Sequence, residues 1–396
     1  MKKLVLSLSI LSLFLGSCSS DNEEITTQPI ATGTITGDIT SAKTYPLGNY
    51  TIQGTVKIKS GGSLTIEAGS TITATLADGT PDALLVENGG KLFLNGTAAL
   101  PIVFTEVSKT PGSWGGIIMV GDAPIVGSNS VSTATTEDGN NLPYGGTNAT
   151  HNGGSLKYVR VEYAGKKLTD NTSEMNGFSF YSVGSGTVLE NLVAYKGADD
   201  GFEFYGGTVS AKNLISYGNF DDSFDWQDGW KGDANTNWYA YQEGTGNYGM
   251  EIEAKSINNA FGPKISNITL TRAAGTATEG GSSANEFDAI QFKKEGNGEY
   301  TNVVISGYTT TNATLTATAV RIQDKSTNDN QVTGGKIKML DVKINNGTSQ
   351  FGGVGTTFTV AFPTGNYTTS TTATGATLTT GAWAIVDGVS LIKSTN

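Results

Sequence analysis

One cysteine, one histidine and three arginines in 396 residues leave several chemistries without parts. A lone cysteine, Cys18, cannot close a disulfide within the chain. A lone histidine, His151, cannot complete a Ser-His-Asp triad or a cluster of imidazole metal ligands. It sits in a stretch, 109–154, rich in Asn, Gly, Ser and Thr that is expected to include a long loop leaving the main fold, where a histidine is expected to be incidental. Charged residues make up 15% of the chain and the formal net charge is −11, which argues against nucleic acid as a partner. Proline is scarce, and no proline-rich or charged linker divides the chain. Long apolar runs are missing too. The one at residues 4–15 falls short of the roughly 20 residues that a membrane-spanning helix needs.

That run has a different use. Lys2 and Lys3 precede it and Leu15-Gly16-Ser17 lead into Cys18, the layout of a signal peptide. Leu15-Gly16-Ser17-Cys18 resembles the bacterial lipobox, which implies cleavage before Cys18, acylation of its thiol and anchoring in outer-membrane lipid. The following Ser19-Ser20-Asp21-Asn22-Glu23-Glu24 resembles the signal that carries lipoproteins of Bacteroidota to the outer face of the outer membrane. Read from composition alone, the same residues are a solvated tether, and a periplasmic position stays open. Without Lys2 and Lys3, 23 basic residues face 36 acidic ones, so the mature chain is near −13.

Beyond the tether, short β-branched or aromatic runs alternate with Gly, Thr, Ser and Asn, a texture that predicts all-β structure with many turns. Repeats set the architecture. Asn191-Leu192-Val193-Ala194-Tyr195 recurs 22 positions later as Asn213-Leu214-Ile215-Ser216-Tyr217, and Asp199-Asp200-Gly201-Phe202-Glu203-Phe204 recurs at the same interval as Asp221-Asp222-Ser223-Phe224-Asp225-Trp226. A period of this size suits one coil of a parallel β-helix. Weaker copies beginning at Asn237, Asn267 and Asn302 extend the array, so Asn191, Asn213, Asn237, Asn267 and Asn302 are expected to stack at turns as a structural ladder about 4.8 Å per step. A second strand runs through Phe178-Ser179-Phe180, Phe202-Glu203-Phe204, Phe224-Asp225-Trp226, Met250-Glu251-Ile252, Ile290-Gln291-Phe292 and Val320-Arg321-Ile322. Its outer members should fill the bore, Trp226 among them, and its middle members should form an external column.

Toward the N-terminus, Val56-Lys57-Ile58, Leu64-Thr65-Ile66, Leu84-Leu85-Val86, Leu92-Phe93-Leu94 and Ile102-Val103-Phe104, punctuated by Gly61-Gly62 and Gly89-Gly90, continue the pattern. The succession over 51–345 resembles the pectin-lyase-like right-handed β-helices of Bacteroidota surface proteins. The expected organisation is a signal peptide at 1–17, a polar tether at 18–33, one elongated parallel β-helix at 34–350 and a C-terminal cap at 351–396 that covers the last coil's unpaired edges.

Chemistry is expected where coils converge. The densest band is Asp199, Asp200, Glu203, Asp221, Asp222, Asp225, Asp228 and Glu251. Two carboxylates 4.8 Å apart repel by about 3.5 kcal/mol at an effective dielectric of 20. Three readings answer that repulsion: Ca²⁺ bound through Asp199, Asp200, Asp221, Asp222 and Glu251, solvated structural turns, or catalytic carboxylates with a raised pKa. The resemblance brings polysaccharide lyases and glycoside hydrolases into view. The His-Gly and Arg-x-Lys segments of polygalacturonases do not occur here, however, and no arginine accompanies the paired aspartates as in pectate lyases. A binding or adhesion role draws on Tyr195, Tyr217 and Tyr241, expected to point outward in one register, with Trp230, Glu203 and Asp225 beside them as a face for surface glycan or polysaccharide. The alternative is that these aromatics pack beneath long loops. A passive coat protein is a third reading. The balance of residues leans toward a non-catalytic, lipid-anchored, surface-exposed β-helix acting in adhesion or glycan binding.

Overall fold

Alternating apolar and polar residues over runs of four to nine, each ended by a turn residue, give strands too short to stand alone, so each must pair with the next coil. In the computed structural model they do so in register and in parallel. The structure describes residues 30–75, 81–168, 174–256, 262–279, 286–309, 316–345, 348–354 and 358–393. The segments expected to be a signal peptide and a tether, with Cys18, lie outside the described residues as far as residue 29.

The chain from Ala31 onward forms one unit, a parallel β-helix as expected. Three faces recur in each coil. The first two are carried by the two halves of long strands such as Gly154–Glu162, Val188–Tyr195, Ala211–Tyr217, Asn235–Gln242, Lys264–Arg272, Gly298–Ser306 and Ile337–Asn345. The third is carried by short strands, including Ile117–Val120, Phe178–Tyr181, Phe202–Tyr205, Phe224–Gln227, Met250–Ile252, Ile290–Phe292 and Thr318–Ile322. In the earlier coils the two halves are separate strands, since Lys91–Asn95 and Ile102–Glu106 pair with opposite ends of Gly154–Glu162.

The bend between the first two faces is where the asparagines stand. Asn191, Asn213, Asn237, Asn267 and Asn302 all take φ near +58°, a left-handed conformation that asparagine tolerates better than most residues. Tyr158 and Asp341 hold the same register and conformation in the flanking coils. Asn213 Nδ2 donates to Asn191 Oδ1 at 3.0 Å, Asn237 to Asn213 at 2.9 Å and Asn302 to Asn267 at 2.7 Å. The ladder has one break, because Asn267 donates instead to Thr236 Oγ1.

The bore is packed as the alternation predicts. Phe178, Phe180, Phe202, Phe204, Phe224, Trp226, Met250 and Ile252 are buried, and Phe178 stacks on Phe202 with centroids 5.0 Å apart. Burying each such side chain contributes about 1.5–3 kcal/mol.

At the far end Phe351, Phe362 and Tyr367 cluster against the core. From residue 370 the chain turns back along the outside. Thr374 and Thr377 donate their amides to Asn302 and Asn237 of the ladder, Trp383 packs edge-on against Tyr158, and Arg160 binds the carbonyls of Ala382 and Ile385. This strap covers Val193, Ile215, Tyr217 and Tyr239 on the second face.

Candidate functional site: a buried acidic cleft

The turn from the second face to the third is tight. A Cβ on Gly201 would approach Ser216 Oγ, Asn219 Nδ2 and the carbonyl of Ser223 within 2.8 Å, so glycine there lets two coils come together beside Asp200. In-register pairing does the rest. Ser179, Glu203, Asp225, Glu251, Gln291 and Arg321 form the external column expected from the sequence, each directly opposite the next. Asp199/Asp221 and Asp200/Asp222 align one coil apart in the adjoining turns. Asp200 Oδ1 accepts the amide of Asp222 at 2.8 Å, and Asp222 Oδ1 accepts that of Tyr248 at 2.6 Å.

The column faces outward from the bore but not into open solvent. Loops of the intervening coils wall it in and make a cleft of about 330 Å³. Glu137 comes from the long connection between the strands Ile117–Val120 and Gly154–Glu162, Glu174, Glu279 and Glu286 from the connections between the second and third faces, and Glu253 from just past a short strand. Twelve carboxylates line the cleft against three ammonium groups, those of Lys255, Lys293 and Lys294. Sequence reasoning missed Glu137, Glu174, Glu279 and Glu286 because inserted loops carry no repeat register that would place them, and it missed Glu253, Lys293 and Lys294 because they follow the short strands Met250–Ile252 and Ile290–Phe292, where the repeat was not followed further.

Three sets of carboxylates bring ligand atoms within 4.8 Å of one another: Asp199, Asp200 and Asp221; Asp200, Glu203 and Asp225; and Asp222, Asp225 and Glu251. Asp199 is 2% exposed, yet its Oδ2 has no hydrogen-bond partner, and neither does Asp225 Oδ1. A buried carboxylate oxygen without a partner is costly, and several close together are worse. Burial, followed by the negative charge of neighbouring acids, pushes Asp199, Asp200, Glu203, Asp222 and Asp225 well above the usual carboxylate range and Asp221 up to about 7. All five residues expected to hold Ca²⁺ therefore meet in this cleft, joined by Glu203 and Asp225. Oxygen-only ligand sets of this kind suit a hard cation.

The far end of the cleft is different. Lys293 Nζ binds Glu251 and stands 3.5 Å from Glu253, while Lys294 reaches Glu253 at 2.8 Å. Although burial works against it, the charges of Glu251, Asp225 and Glu253 hold the Lys293 ammonium above its ordinary pKa. Beneath the cleft, the Tyr205 hydroxyl lies between Glu203 and Glu137 within hydrogen-bond reach of both, and Tyr144 donates to Asp228, which ties the long loop to the third face.

The aromatic face is corrected by the structure. Trp230 is 1% exposed and stacks on Phe204 inside the bore, so it cannot meet a ligand. It follows the left-handed pair Asp228-Gly229, which turns the chain inward. Tyr195, Tyr217 and Tyr241 do stack outside the bore, with centroids 5.6 and 5.1 Å apart, but the C-terminal strap lies over them. Tyr217 is buried and the other two are half-buried. Glu203 and Asp225, placed on that face by the sequence reading, belong to the cleft instead. His151 is buried away from the cleft, where burial lowers its pKa.

Residues 33–386 match the pectate-lyase-like β-helix domain. The chain belongs to this family. No curated protein and no solved structure matches the chain. Among pectate-lyase-like β-helices the family name describes a scaffold, and activity has to be argued from the site.

The arginines of this family member are all engaged elsewhere. Arg160 pairs with Glu162, Arg321 pairs with Asp288, and Arg272 donates to the carbonyls of Asn247 and Ala277. The cleft lysines are all ion-paired.

Proposed function

We infer that this protein is a cation-binding surface lipoprotein, anchored in the outer membrane through acylated Cys18, whose β-helix captures polysaccharide or surface glycan without cleaving it. The carrying observation is the set of three interlocked carboxylate triads in one cleft, with buried oxygens of Asp199 and Asp225 left without partners. Ca²⁺ suits such a site, since it takes 6–8 oxygen ligands in flexible geometry. Water and sugar hydroxyls or carboxylates complete that shell, which gives a glycan a place to bind once the tyrosine stripe is covered. Binding is favoured over β-elimination because a lyase needs a free base, and each lysine of the cleft is held by a carboxylate.

Hydrolysis is the second reading, supported by Asp221, whose pKa near 7 is that of a general acid. Incubation with acidic and neutral polysaccharides in Ca²⁺, following absorbance of unsaturated products and new reducing ends, separates the readings. Retention of a polysaccharide on the immobilised protein, lost in EGTA and without product formation, is the expected result. Product formation that disappears in Asp221→Asn would overturn it.

A further inference from the structure

The three carboxylate triads are not equivalent, and their differences set how many cations the cleft takes. Successive triads share a member, with Asp200 common to the first and second and Asp225 common to the second and third. Sharing means that the positions between them form one connected row and not three separate sites. The first two positions have no ammonium or guanidinium within 4.0 Å of Asp199, Asp200, Asp221, Glu203 or Asp225 among the described residues, and each contains a buried oxygen without a hydrogen-bond partner. The third contains Glu251, which already binds Lys293 Nζ. One coil further along, the acid in the turn is Asp288, and Arg321 holds it through two bonds of 2.8 and 3.0 Å. At one end of the row an ammonium thus binds a member of the triad itself, while at the other the nearest, that of Lys167, is held by Glu279 and Glu174 in the wall of the cleft and leaves the triad oxygens without a cation.

We propose that the cleft is a two-cation centre in which Asp200 bridges a pair of divalent ions, one held with Asp199 and Asp221 and the other with Glu203 and Asp225, while the Lys293 ammonium, bound to Glu251, supplies the positive charge at the third position. This rests on the cation reading above. A lysine suits the third place because its compact charge donates up to three hydrogen bonds and needs no outside ion. The two loaded positions are left for ions whose remaining coordination is open to water or to an oxygen-rich ligand. Lys293 therefore acts as a positioning residue that fixes the number of exchangeable ions and where the row stops.

Calorimetric titration of the full chain with Ca²⁺, after stripping with EGTA, tests this directly. Two ions per chain are expected. Lys293→Met, which keeps the stem and removes the charge, should bind a third. Glu251→Gln should leave the count at two, and it decides the matter if the lysine variant does not fold. Asp200→Asn should weaken both ions together. No Ca²⁺ binding to the unaltered chain overturns the cation reading and this inference alike. One ion per chain, a count of two that persists in folded Lys293→Met, a loss of one ion in Glu251→Gln, or an Asp200→Asn variant that keeps one ion at full affinity overturns the two-cation centre alone.

Discussion

Stripping calcium from the folded chain is expected to lower its thermal midpoint, and to lower it more at pH 8 than at pH 5. Asp221 shows why. Burial and the charges of Glu279 and Glu251 raise its pKa from 3.8 to about 7. An acid raised on folding stabilises the fold fully below its unfolded pKa, and that contribution is lost as pH climbs through the folded value, here between about 3.8 and 7. Metal-free protein should therefore be weaker at pH 8, where Asp221 is ionised among its neighbours, than at pH 5. Calcium binds that same ionised form, so its contribution runs the other way and protons compete with it. At about 100 times the dissociation constant, one bound ion adds about 2.7 kcal/mol and two about 5 kcal/mol. With an unfolding entropy of about 2.1 cal/mol/K per residue, a unit the length of Ala31–Asn396 moves about 1.3 °C per kcal/mol. A rise of about 7 °C at pH 8 follows, shrinking by roughly half or more at pH 5 as the ligands protonate. Circular dichroism melts in Ca²⁺ and in EGTA at both pH values read it out. An unmoved midpoint at pH 8, or an equal shift at pH 5, would refute the reasoning.

Trp230→Ala should cost about 3–5 kcal/mol in denaturant unfolding, the range for emptying a large aromatic site in a core; a loss of ligand binding at unchanged stability would place Trp230 outside the bore. Asn213→Ala should cost about 2–4 kcal/mol, from two hydrogen bonds of about 0.5–1.5 kcal/mol each and about 1 kcal/mol of left-handed backbone strain. Asn213→Gly should cost less because it removes only the bonds, and equal losses would deny any role to the backbone conformation. Trp383→Ala should release the strap, so limited proteolysis beyond residue 369 should speed up while the far-ultraviolet spectrum of the body stays unchanged. Cleavage spread evenly through the chain would contradict a separately docked strap.

The features legible in the sequence are those that repeat. A period of 22 residues located the asparagine bends, the inward Phe and Trp columns and the outward column through Glu203, Asp225 and Glu251, because stacking identical coils forces equivalent positions into contact. It also brought Asp199, Asp200, Asp221 and Asp222 together. What did not repeat was not legible. Glu137, Glu174, Glu279 and Glu286 reach the cleft from insertions of unlike length. The tyrosine stripe points away from the bore as the sequence predicts and is covered, as the alternative of packing beneath other chain expects, but the cover is a segment more than 150 residues downstream that no repeat announces, packed on Tyr217 and Tyr239 and marked by the bond from the Lys393 amide to Tyr239 Oη. Trp230 lies beyond the end of its strand, where alternation no longer tells inside from outside.

The returning strap changes how the rod can come apart. Coils that touch only their neighbours fray from either end, one at a time, and their stability is nearly a sum of local terms. Here Trp383 donates its amide to the carbonyl of Ala98, and Arg160 holds the chain next to it, so the strap is fastened to coils made much earlier. Peeling the last coil away pulls on the middle of the stack, and opening the middle loosens the end. A linear array thereby acquires the cooperativity of a closed ring, and its middle coils keep an apolar stripe uncovered until the strap arrives to seal it.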